Sequence, residues 1–148
     1  MNSRMKVAFG IYLFLLVGVC GWNVMFAMRS EFMPYHAIVV GMPWAAVPAQ
    51  LQVLVLGLMK IAGSASVVVS LSILLILIFP FRQLAPWAIW GVPGLLAVFF
   101  AGSMIGIGFV AKHTTAELPW GMPIVGLALV AVAVLLSVGD KSRMTRPA

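Results

Sequence analysis

Four stretches of this chain are apolar over lengths that match the hydrocarbon core of a bilayer. About 20 helical residues, rising 1.5 Å each, cross the ~30 Å of lipid tails. Val7 to Met28 contains no charged residue. The second stretch runs from Ala49 to Phe79 and is expected to stop at Pro80, which lacks the N–H a helix interior needs. The third opens at Pro86 and reaches about Ala111; the fourth opens at Pro119 and ends near Gly139. Proline suits a first helical turn and glycine suits a terminus. Pro93 and Pro123 fall inside the last two runs, where neighbouring helices satisfy the carbonyls they free.

Composition agrees. Charged residues make up 8% of the chain and mean hydropathy is +1.16, whereas a water-facing surface needs about 25% charged residues. The expected fold is therefore an all-α membrane protein, a four-transmembrane-helix bundle forming a single domain over 1–148. Its helices fall at approximately 7–28, 49–79, 86–111 and 119–139, with a cytoplasmic tail at 140–148. Val7–Met28 exceeds the roughly 7–15 residues of a signal-peptide core and carries no small-x-small cleavage pattern, so it is expected to be retained. Cys20 is the single cysteine, which excludes an internal disulfide, a CxxC site and a thiolate metal cage.

The basic residues set the orientation. Arg4, Lys6, Arg82, Lys141, Arg143 and Arg146 share one side, against Arg29 and Lys112 on the other. The positive-inside rule then puts both termini in the cytoplasm of a multi-pass protein of the plasma membrane. The net charge of +6 lies at chain ends and short connections. It reads as anchoring to anionic lipid, with no nucleic-acid partner. Trp22, Trp44 and Trp120 fall at predicted outer ends and Trp87 and Trp90 near an inner end, the headgroup levels that indole prefers.

Residues 29–48 are too short to span and form a structured outer segment, either an interfacial helix or a shallow re-entrant loop. Lys60 falls near the outer boundary, where its stem lies in lipid and its ammonium reaches headgroups. Helices in lipid associate through small residues and polar contacts. Ala62, Ser66 and Ser70 make a narrow ridge beside Gly63, and Gly102 and Gly106 form a GxxxG pair. These faces are expected to pack within the monomer, or else against a second copy or a larger membrane partner.

Topology gathers Arg29, Glu31, Tyr35 and His36 from one outer loop and Lys112, His113, Thr114, Thr115 and Glu117 from the other, near Lys60 and Asn23. Two histidines and a carboxylate can hold a metal, which makes His36, His113 and Glu117 the metal candidates; a His/Glu pair can do acid–base work. The plainer reading is that His36 caps its loop and that His113 and Glu117, four apart, close a helix end. No Asp, Glu or His lies within a crossing, which disfavours proton-coupled transport. No G-x-S-x-G and no glycine-rich loop before Lys-Ser/Thr occurs, so nucleophilic catalysis and nucleotide binding lack support, no catalytic residue is assigned and no cofactor is expected.

The run Glu31, Phe32, Met33, Pro34, Tyr35, His36, followed by Gly41, Met42, Pro43, Trp44, resembles an uncharacterised group of small bacterial inner-membrane proteins with four predicted helices. So does Pro80, Phe81, Arg82 leading into Trp87, Ala88, Ile89, Trp90. The resemblance implies a bacterial source and the topology above; it brings no activity or binding residue.

The leading functional expectation is a non-enzymatic accessory subunit or oligomeric scaffold, with membrane lipids and either further copies or a larger complex as partners. The second is binding or transfer of a lipid-like hydrophobic ligand at an outer-side cleft, with Glu31, Tyr35, His36, Trp44, Lys60, His113 and Glu117 as candidate ligand contacts. An outer-face metal or acid–base enzyme is the third.

Overall fold

A computed structural model describes residues 1–138; Gly139, Asp140 and the tail carrying Lys141, Arg143 and Arg146 lie outside the described residues. Four helices are long and apolar enough to cross a membrane. They are α1 (Ser3–Met28), α3 (Ala49–Ile76) with its continuation through Phe81, α4 (Pro86–His113) and α5 (Gly121–Val138), and the short α2 (Pro34–Val40) follows α1. Asn2 starts α1 by accepting the Met5 N–H on its side chain at 2.9 Å, satisfying one of the donors a first turn leaves unpaired.

α1 starts four residues earlier than expected, at Ser3, and α4 runs on to His113; two further boundaries differ for local reasons. The second crossing does not stop at Phe79: Leu77–Phe81 widens into a π turn that contains Pro80, and Ala85 N–H then reaches the Pro80 carbonyl at 3.0 Å. A π turn carries an extra residue per bond, and here it takes the proline without ending the helix. The fourth helix begins at Gly121, because residues 114–119 run without helical bonding and turn at Trp120.

The helices run antiparallel in sequence. α1 packs along α3 and α5, and α4 along α5 and the π turn, while direct contact between α3 and α4 is slight. Met1 and Val138 therefore lie at one end of the bundle, the terminal end, and the α1–α3 and α4–α5 connections at the other, the loop end. The tightest core is at the terminal end, where Tyr12, Leu16, Leu77, Phe81, Val92 and Leu96 are fully buried and Tyr12 meets Phe81 edge-on at 5.7 Å. Outward-facing side chains are equally apolar: Phe14, Val53, Val98, Ile105 and Leu135 are all more than 70% exposed. In water such a surface would drive association; in lipid it is the solvated face.

Shape complementarity therefore decides which helices touch. A methyl placed on Gly126 would stand 2.5 Å from the Phe100 ring, and one on Gly63 would stand 2.9 Å from the Asn23 carbonyl oxygen. Ser70 is buried and Ser66 half-buried, but Ala62 faces outward. Gly102 and Gly106 also lie on an exposed surface with nothing within 4 Å of an added methyl, so the GxxxG pair does not pack within the monomer.

Candidate functional site

The segment after α1 is held by its own small core. Phe32, Val47 and Met59 are buried together, and Trp44 stands edge-on to Phe32 at 4.9 Å. Gln52 Nε2 donates to the carbonyls of Trp44 (3.0 Å) and Val47 (3.1 Å), pinning the short 3-10 turn Trp44–Ala46 to the start of α3. Gly41 ends α2 at φ 76°, a left-handed conformation that glycine adopts freely, and its N–H returns to the Ala37 carbonyl. Residues 29–48 thus form a short helix and a turn anchored on α3.

Most of the polar residues singled out from sequence do local work. His36 Nδ1 accepts the Met33 N–H at 3.2 Å, capping α2, so its proton resides on Nε2. Burial, and then the nearby Arg29 charge, hold His36 below its ordinary value of 6.5. His113 Nδ1 lies 2.8 Å from the Phe109 carbonyl and closes the last turn of α4. Arg29 donates from Nε to the Glu31 carbonyl (3.3 Å), with its guanidinium 3.8 Å from the Glu31 carboxylate. Lys60 Nζ donates to the Ala27 carbonyl at 3.2 Å, placing a cation at the negative end of α1. Glu117 is exposed. Among the described residues no three His, Cys, Asp or Glu gather to hold a metal ion, so the metal candidates His36, His113 and Glu117 do not converge.

What the fold does assemble lies deeper. Because α4 leans on α5 and meets α3 chiefly through the π turn, the bundle opens toward the loop end. A cleft of about 270 Å³ results. Val19, Trp22, Asn23 and Phe26 of α1 form one wall, Ser66 of α3 lies beside them, and Phe99, Phe100, Ser103 and Ile107 of α4 stand opposite. Pro119, Met122 and Pro123 close it at the start of α5, and Tyr35 of α2 completes the lining. A second space of about 220 Å³ lies between α2 and α4, lined by Tyr35, His36, Val39, Gly106, Ile107, Val110, Leu118 and Pro119. The two spaces share Tyr35, Ile107 and Pro119. Asn23 sits five residues inside the end of α1, roughly 8 Å down the helix.

The cleft walls are apolar with a few polar atoms set into them. Asn23 Nδ2 donates to the Val19 carbonyl at 2.8 Å and Ser103 Oγ to the Phe99 carbonyl at 3.0 Å. These bonds fix both side chains and leave their oxygens as acceptors. The Ser66 and Tyr35 hydroxyls make no hydrogen bond among the described residues, and burial raises the Tyr35 hydroxyl above its ordinary value of 10, keeping it a donor.

Of the residues expected to contact a ligand, Tyr35 and His36 line these spaces, while Glu31, Trp44, Lys60, His113 and Glu117 do not. Ser103 and Phe100 were not distinguishable in sequence: a serine and a phenylalanine in an apolar run carry no sign of which helix face they occupy. No protein-family model, curated protein or solved structure matches the chain, so what the cleft can hold follows from its own lining.

Proposed function

We propose that this chain is a multi-pass protein of a bacterial plasma membrane, with cytoplasmic termini, that binds a hydrophobic or amphipathic small molecule in the loop-end cleft. The observation that carries the reading is the cleft itself. Ligand sites are concave, mostly apolar and furnished with a few placed polar groups, commonly at 300–1,000 Å³. The cleft is near that range, and the adjoining space beneath α2 extends it. The cleft also sits where a membrane-dissolved molecule can enter between splayed helices. Lipid extraction and mass spectrometry of protein purified in mild detergent test the proposal. A small molecule should copurify with the wild type and be lost from Ser103→Phe and Ile107→Trp, which fill the cleft. An identical lipid profile in all three proteins would refute it.

A second reading, assembly with another copy or a larger membrane partner, is favoured by Gly102 and Gly106. Gly102 presents bare backbone on the outer surface of α4 and Gly106 does so where α4 borders the space beneath α2; bare backbone is the feature that lets helices approach closely in lipid. Native mass spectrometry of wild type and Gly102→Leu distinguishes the two readings, since Gly102 lines neither space and only assembly requires a loss of higher-order species.

A further inference from the structure

Whatever enters this cleft meets a particular set of polar atoms and no charge. Asn23 Oδ1 and Ser103 Oγ accept, Ser66 can do either, and the Tyr35 hydroxyl donates. No Lys, Arg, His, Asp or Glu lines the cleft itself, and the adjoining space beneath α2 adds His36, whose Nδ1 is taken by the Met33 N–H. Of the three cations nearest in sequence, Lys60 is engaged with the Ala27 carbonyl and Arg29 with Glu31, while Lys112, five residues past Ile107, is exposed and does not line the cleft. A helix start can attract an anion through its free N–H groups; at the start of α5 Pro123 supplies none and Pro119 none before it, which leaves only the Gly121 and Met122 N–H groups there, fewer than an ordinary first turn offers. An ionised head at this depth would lose water and gain no counter-charge. An uncharged hydroxyl or carbonyl would satisfy the same atoms that otherwise stand unpaired in an apolar wall.

We infer, on the reading of the cleft as a ligand site, that its ligand is a neutral amphiphile, a lipid whose polar end carries hydroxyl or carbonyl oxygen and no phosphate or carboxylate. The hydroxyl end sits among Asn23, Ser66 and Ser103, and the hydrocarbon body leaves past Ile107 toward the lipid.

The test uses the full chain, delipidated in mild detergent, and three probes sharing one lauryl chain: monolaurin, lauric acid and lauryl phosphate. Binding is titrated by native mass spectrometry at a pH where both acids are ionised. Monolaurin should bind about tenfold more tightly than either anion, and Asn23→Leu should weaken monolaurin by about tenfold. The double variant Ser66→Ala with Ser103→Ala gives the same readout should Asn23→Leu not fold. Laurate or lauryl phosphate binding as tightly as monolaurin overturns the neutral-head inference and leaves the cleft reading standing. Selective monolaurin binding unchanged in the variants also overturns it, by placing the site elsewhere. Retention of none of the three probes overturns both.

Discussion

Gly63 of α3 packs so closely on Ala27 of α1 that a Cβ placed on the glycine would stand 2.7 Å from the Ala27 Cβ. It would also crowd the Asn23 carbonyl, so backbone as well as side chain would have to yield. Gly63→Ala is therefore expected to destabilise the bundle by about 1–3 kcal/mol, the usual cost of overpacking, despite alanine's better helix propensity. Gly102→Ala, where the added methyl meets open space, should be neutral or stabilising by up to about 1 kcal/mol. Thermal unfolding of the two variants in one detergent compares them directly; equal melting temperatures would contradict this account of the α1–α3 contact.

Tyr12 is fully buried beneath Phe81, and its hydroxyl has no hydrogen-bond partner of good geometry. Ser137 faces it from α5, its hydroxyl donating to the Val134 carbonyl and its oxygen free to accept, but not in good hydrogen-bond geometry with the Tyr12 hydroxyl. A buried polar group without a partner costs about 1–3 kcal/mol. Tyr12→Phe should thus hold or raise stability, by up to about 1 kcal/mol, while keeping the ring stack. A clear drop in melting temperature, matched by Ser137→Ala, would instead reveal a Tyr12–Ser137 hydrogen bond.

The four crossings were legible because matching to hydrocarbon is a property of composition along the chain. It needs no knowledge of which helix touches which. Packing faces were not legible for the same reason. Tyr12 is fully buried and Phe14, two residues on, is 71% exposed, yet both are aromatic, since lipid and protein interior select the same side chains. Gly63 and Gly126 make the close approaches while the more conspicuous Gly102 and Gly106 face outward. Polar loop residues carry the same sequence signature whether they bind a ligand or close a helix, and the geometry gives His36, His113 and Lys60 helix-end bonds. Tyr35 was found by its loop position. Ser103 sits in the cleft only because α3 and α4 diverge, a relation no local pattern encodes.

The antiparallel run places Glu117 and Arg82 at opposite ends of the bundle, each exposed. With Cys20 replaced by alanine, Glu117→Cys should react with a membrane-impermeant maleimide on intact cells. Arg82→Cys should react only after the membrane is opened. Labelling of both from outside would overturn the four-crossing arrangement, and the reversed pattern would overturn the orientation drawn from Lys and Arg.

The α2 cap depends on a neutral His36, because Nδ1 must accept the Met33 N–H. Burial and Arg29 hold the folded value below 6.5, so between the folded value and 6.5 the released segment binds more protons than the docked one. The docked state is then fully favoured above about pH 6.5, loses ground as pH falls through that window, and changes no further below the folded value. Hydrogen exchange of the α2 amides, corrected for the intrinsic rate, should accordingly show protection falling on acidification while α1 and α3 are unaffected. His36→Ala removes both the acceptor and the titrating group. Its α2 should exchange faster at neutral pH, by an amount matching the loss of a cap worth about 0.5–2 kcal/mol, with no further change on acidification. A wild-type α2 whose protection is flat across this range would mean that the His36 cap does not hold α2 in place.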